Sequence, residues 1–159
     1  MKSRKEKAVQ LFKEGFNCSQ SVFAAYSDLY GIDEETALRL SSSFGAGMGR
    51  MREVCGTCSG MFLVAGMESG ATKGKDAEGK KRNYDMVQML AEEFRKRNGT
   101  ILCRELLGLD RPQVTAAEFK ETRPEERTEA YYQKRPCVQL VEEAAEILES
   151  TILKERFKD

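Results

Sequence analysis

The chain has 159 residues, a length that suits one domain burying a single core without covalent staples. Its 26 basic and 26 acidic side chains cancel to a formal net charge of zero, which argues against nucleic-acid binding, since that draws on a basic excess. Histidine is absent, so a His-ligated haem, a Cys–His zinc finger, a Cys–His nucleophile pair and a Ser–His–Asp triad are excluded, and any chemistry runs on thiols, carboxylates, Lys, Arg and Tyr.

The opening MKSRKEKAVQLFKEG has no continuous apolar run, so no secretory signal is expected. Ser3 with Glu6 predicts a capping box before a first helix bearing Ala8, Val9, Leu11 and Phe12. EGFN interrupts it. Asn17 with Gln20 then starts a second helix, whose apolar face of Val22, Phe23, Tyr26 and Leu29 runs to Gly31. Asp33 caps a third, with Ala37, Leu38 and Leu40. FGAGMGRM (44–51) carries glycines at 45, 47 and 49 and is expected to be a tight loop between packed helices. A backbone nest for an anion is the alternative, although the spacing departs from a dinucleotide-binding fingerprint.

A buried helix is expected from Val54 to about Met67, with Gly56 and Gly60 on one face to permit close backbone approach. That stretch is too short to span a bilayer, so no membrane insertion is expected and a cytoplasmic location is the default. KGKDAEGKKR (73–82) reads as a solvated loop. A long helix should run from near Lys80 through Tyr84, Val87, Leu90 and Phe94 to the Asn98-Gly99 stop. TILCRELLG forms a short one ending at Gly108. Residues 109–135 are charged and broken by Pro112 and Pro124, with Pro136 beyond, and read as loop with short helical pieces. The last helix carries Cys137, Val141, Ala144, Leu148 and Ile152 along one stripe. Met61, Met67, Met86 and Met89 read as core filler. No segment alternates like a strand and no repeat is present. The expected fold is all-α, a single-domain bundle of about six or seven helices over residues 1–159.

Cys18, Cys55, Cys103 and Cys137 each fall in the first turn of a predicted helix, where free amides and the helix dipole stabilise a thiolate or an anionic cluster. Cys58 lies one turn into its helix. Static disulfides are not expected in a cytoplasmic protein. The alternative is that the cysteines are small buried hydrophobes.

These residues resemble the C_GCAxxG_C_C family of redox-active proteins. EGFNCSQSV is similar to its first-cysteine block, FGAGMGRMREVCGTCSG to its central glycine-rich block, CRELLG to the third and CVQLVEEAAEIL to the last, over about residues 5–150. The resemblance implies that Cys18, Cys55, Cys103 and Cys137 are the signature cysteines, with Gly56 and Gly60 in the central motif. The chain departs from the pattern in reading Cys55 before Gly56, in placing Thr57 where alanine is usual, and in having Cys58, which the family does not require. Related domains occur in split-Soret cytochromes, which implies electron transfer and an iron–sulfur site; the haem role does not carry over, because C-x-x-C-H is missing here.

Two functions of different class follow. The first is a small helical electron-transfer protein with the four signature cysteines as metal ligands of an iron–sulfur cluster, Gly56 and Gly60 bordering it, and a redox-partner protein as its counterpart. An all-cysteine zinc site is disfavoured, because structural zinc uses local knuckles and these cysteines are spread over about 120 residues. The second is a cluster-free thiol oxidoreductase or peroxidase in which Cys55 attacks, Cys58 or a distant cysteine resolves, and Arg52 or Glu53 supplies a neighbouring charge. A helical interaction module with structural cysteines is the third reading.

Overall fold

The computed structural model describes residues 1–113 and 116–158. Its long elements are α1 (Lys5–Lys13), α2 (Cys18–Tyr26), α3 (Glu34–Ser42), α5 (Gly56–Ser69), α6 (Ala77–Asn98) and α10 (Cys137–Ser150). Between them lie the short turns α4 (Gly45–Met48), α7 (Cys103–Leu106), α8 (Ala116–Lys120) and α9 (Glu129–Lys134). Among the described residues there is no strand, only an isolated antiparallel bridge between Val54 and Leu102.

Local signals account for most boundaries. Asn17 and Gln20 form a reciprocal capping box at the start of α2, each side chain accepting from the other's amide at 3.0 Å. Asp33 caps α3 by accepting from the Thr36 amide, and Gly99 ends α6 in the left-handed conformation. Asp76 accepts from the Gly79 amide, which starts α6 inside the segment expected to be loop. The box expected at Ser3 and Glu6 does not form. Arg4 is the N-cap of α1 without a side-chain cap, and its amide donates to Glu149 of α10 at 2.7 Å. A tertiary acceptor has displaced a local one.

α2 is the centre of the molecule: eight of its nine residues are buried. α5 runs against it, with α1 and α3 also packed on α2 and α10 laid across α1, α2, α5 and α6. At the α2–α5 crossing a Cβ on Gly60 would stand 2.8 Å from Val22 Cβ and 3.0 Å from the Ser19 carbonyl oxygen, so only glycine permits this approach. Phe12, Phe23, Tyr26, Met61, Leu90, Phe94, Val141 and Leu148 fill one continuous core. Of the methionines expected there, Met61 is fully buried whereas Met67 and Met89 are exposed, because the outer faces of α5 and α6 meet solvent rather than a further helix. Ile152, placed on the stripe of the last helix, lies past its end, and Leu153 takes the buried position instead.

Candidate functional site

Four cysteines from four separated segments meet at one end of this core. Cys18 and Cys103 are the first residues of α2 and α7, Cys55 is the N-cap of α5, and Cys137 opens α10 directly after Pro136. At each position the first-turn amides lack an intrahelical acceptor, and those of Cys55 and Cys103 find theirs in neighbouring backbone. All four line one cavity of about 320 Å³.

Two devices hold this arrangement. The first is the bridge at Val54: the Cys55 amide donates to the Ile101 carbonyl at 2.7 Å and the Cys103 amide to the Glu53 carbonyl at 2.7 Å, which pins two cysteines side by side. The second is residues 46–50. Ala46, Gly47, Met48, Gly49 and Arg50 all have φ between 55° and 69°, a single turn of left-handed helix closed by Met48 N–H to Phe44 O and Gly49 N–H to Gly45 O. Left-handed backbone costs a non-glycine residue about 1–2 kcal/mol, and Ala46, Met48 and Arg50 each bear it. The turn brings the Ala46 amide onto the Cys18 thiol. At Gly47 a Cβ would lie 2.6 Å from Cys103 Cβ and 2.7 Å from Arg52 Cα, so the left-handed turn seats directly against the third cysteine. FGAGMGRM thus forms a tight loop that also presents an amide to a sulfur.

The thiols are not equivalent. Cys18, paired with Cys55 and buried, is pushed well above the ordinary thiol range, against the pull of the Ala46 and Ser19 amides. Cys55 is drawn down by its bond to Cys18, but Cys58 and burial outweigh this and raise it. Burial raises Cys103 despite the Arg52 guanidinium, whose Nη1 lies 3.7 Å from its Sγ. Burial, with Cys18 and Cys103 nearby, pushes Cys137 up to about 12. In the metal-free fold these groups hold their protons at neutral pH, so a metal would have to displace them. Among the described residues no three Cys, Asp or Glu side chains come together to hold a single metal ion.

Cys58 is fully buried and does not line the cavity; it touches the site only through Cys55. Gly56 lies behind the cavity wall, where a Cβ would come within 2.5 Å of Cys18 Sγ. Gly60 belongs to the helix crossing. Glu53 points to solvent and pairs with Arg104 at 3.0 Å, whereas Arg52 is buried on the cavity wall. The sequence reading passed over the other side of the cavity: Arg50, Thr122, Glu125, Arg127, Tyr131 and Arg135. Nothing local marks the three arginines among 26 basic residues, nor the other three among their own kinds. They come together because the segment after Pro124 folds over the cysteines, held by Arg127, which donates to the Phe12 and Phe16 carbonyls at 3.2 Å and stacks on the Phe12 ring at 4.2 Å.

Residues 16–151 match the family profile C_GCAxxG_C_C, described as "putative redox-active protein". The chain belongs to the C_GCAxxG_C_C family. Neither the curated proteins nor the solved structures contain a match. Within the C_GCAxxG_C_C family, the matched span takes in all four cavity cysteines and the left-handed turn between the first two. The family description is redox activity, and the cavity is where this chain collects its thiols. Among the described residues no helix is long and apolar enough to cross a membrane.

Proposed function

We propose that this protein transfers electrons, and that Cys18, Cys55, Cys103 and Cys137 hold one iron–sulfur cluster in their shared cavity. The observation that carries the reading is that four cysteines, each at a helix start and each from a different part of the chain, line one space. The donor set fits: it is sulfur alone, with no nitrogen ligand in the chain. Among the described residues no three of these sulfurs come together for a lone ion, which weighs against zinc, whereas the irons of a cluster divide the four thiolates among them.

When bound, such a cluster supplies one-electron transfer. The protein's part is to position and tune. Arg50, Arg52, Arg127 and Arg135 bring positive charge to the cavity wall, which offsets the negative charge of thiolate ligation. The Ala46 amide lies against Cys18, and an amide hydrogen bond to a ligand sulfur would shift a cluster's potential. The 122–135 segment covers the site, and electrons would pass to or from a redox-partner protein at this end of the bundle.

Protein produced with iron and kept anaerobic should be brown and contain iron with labile sulfide. Cys55→Ser should abolish both while Cys58→Ser, outside the cavity, keeps most. Colourless, iron-free protein under those conditions overturns the cluster reading. A second reading is then favoured by the Cys18–Cys55 thiol pair: the two thiols surrender two protons and two electrons to an acceptor and form a disulfide. Mass spectrometry of the oxidised chain would find that crosslink, and equal loss of turnover from Cys18→Ser and Cys55→Ser would support it.

A further inference from the structure

The cavity has a second chemical character besides its thiols. Four arginines reach its wall, and Glu125 is the single carboxylate there among the described residues. Two of the four are spoken for: Arg127 serves the Phe12 and Phe16 carbonyls, and Arg135 is paired through Nη2 with Glu125. Arg50 gives Nη1 to the Arg123 carbonyl. Arg52 is 4% exposed and has no carboxylate partner among the described residues, only the Cys103 sulfur at 3.7 Å.

The Nε–H groups of Arg50, Arg52 and Arg135 are buried and without a hydrogen-bond partner among the described residues. Buried donors are almost always satisfied, so three orphans of one chemical kind on one cavity call for an acceptor that comes from outside the chain. Sulfur is a weak acceptor and would not match the guanidinium fork; the oxygens of an oxyanion do, taking Nε–H and a neighbouring Nη–H together. Arg52 also holds a left-handed backbone, φ 58°, a strain maintained although it places a bare cation inside the protein.

The geometry points to a binding site for a small dianionic oxyanion between Arg50, Arg52 and Arg135, next to Cys103. The site does not depend on a cluster being present. Glu125 takes Nη2 of Arg135, so that residue offers its Nε–H alone, whereas Arg50 and Arg52, each engaged through Nη1, keep the adjacent Nε–H and Nη2–H fork for the anion. An oxyanion gripped by Arg52 would lie against the Cys103 sulfur, so the redox centre and the anion share one wall. The ligand class is phosphate, sulfate or a short dicarboxylate, recognised by the same forked donors.

The test is thermal unfolding of the full chain, as purified anaerobically and again after iron chelation under reducing conditions. Inorganic phosphate, sulfate and malonate are titrated separately against sodium chloride of equal ionic strength. A saturable rise in Tm with at least one oxyanion, beyond that with chloride, is expected in both preparations. Whether the tetrahedral ions or malonate respond names the class. Arg52→Gln should weaken the apparent affinity about tenfold to a hundredfold, the loss of a charge-assisted fork. Arg50→Gln serves as the second variant should the first fail to fold. Arg39→Gln, on an exposed i,i+4 pair with Glu35, should leave the affinity unchanged. No saturable rise beyond chloride, or an equal rise in the Arg52 and Arg50 variants, overturns the proposal. Iron and sulfide content are read on the same samples, so loss of the cluster reading is seen separately.

Discussion

Helix α2 is approached closely by neighbouring backbone at two places four residues apart, and the two meetings differ in kind. At Val22 it meets Gly60 of α5 in ordinary helical backbone, and the missing Cβ lets two buried helices close on each other. At Cys18 it meets the 44–50 turn, where five successive residues are left-handed and three of those are not glycine. The crossing gains stability by burying α2. The turn gives up an estimated 3–6 kcal/mol to place an amide on one cysteine and a bare Cα against another. Strain of that size persists where the surrounding structure imposes it, and such places concentrate at functional sites. One end of α2 is thus shaped for packing and the other for position.

The largest expected effect separates them most sharply. Gly47→Ala combines a left-handed Cβ with contacts of 2.6 Å and 2.7 Å to Cys103 and Arg52, and should destabilise by about 2–5 kcal/mol in chemical denaturation. It should also disturb Cys103; a fold that keeps wild-type stability would mean the turn is not held as described.

Alkali should strike the same end. The cavity thiols titrate higher in the fold than in the unfolded chain, so the unfolded state loses its protons first. Stability conferred by the neutral thiols is complete below about pH 8.5 and is lost as pH rises toward the folded values, about 12 for Cys137. Each such thiol removes about 1.4 kcal/mol per pH unit within that window. The guanidiniums of Arg52, Arg127 and Arg135 oppose the shift without reversing it. Denaturation of reduced, metal-free protein between pH 8 and 11 should show the decline, and a flat profile would mean the thiols are solvated.

Gly60→Ala tests the crossing alone. Overpacking costs about 1–3 kcal/mol and a helical alanine returns up to about 1, for a net loss of about 1–2 kcal/mol. The alkaline slope should match wild type, because no cavity thiol moves. The smallest effect has the opposite sign. Ala46→Gly relieves a left-handed alanine while keeping the amide that faces Cys18, and should raise stability by about 0.5–1 kcal/mol. A loss of stability would show that the Ala46 methyl contributes more packing than its backbone costs.

What the sequence determined by itself is local. Helix starts at Asn17 and Asp33, the stop at Gly99 and the stripe of α10 follow from caps and periodicity that act within one or two turns, and they suffice for an all-α fold and for cysteines at helix starts. The resemblance to the C_GCAxxG_C_C family pointed to the same four cysteines. Tertiary structure decided the rest. The capping box at Ser3 lost to Glu149 of a helix more than a hundred residues away, and Met67 and Met89 are exposed because no further helix covers them. That Cys18, Cys55, Cys103 and Cys137 share a cavity depends on α2, α5, α7 and α10 pointing their starts at one place, which packing sets and spacing cannot. Left-handed backbone at Ala46, Met48 and Arg50 has no local cause, since each of those residues prefers the opposite hand; closure of the turn between α3 and the Val54 bridge imposes it. The same closure buries Arg52, whose charge reads in the sequence as one basic residue among 26 and in the fold as the cation beside Cys103.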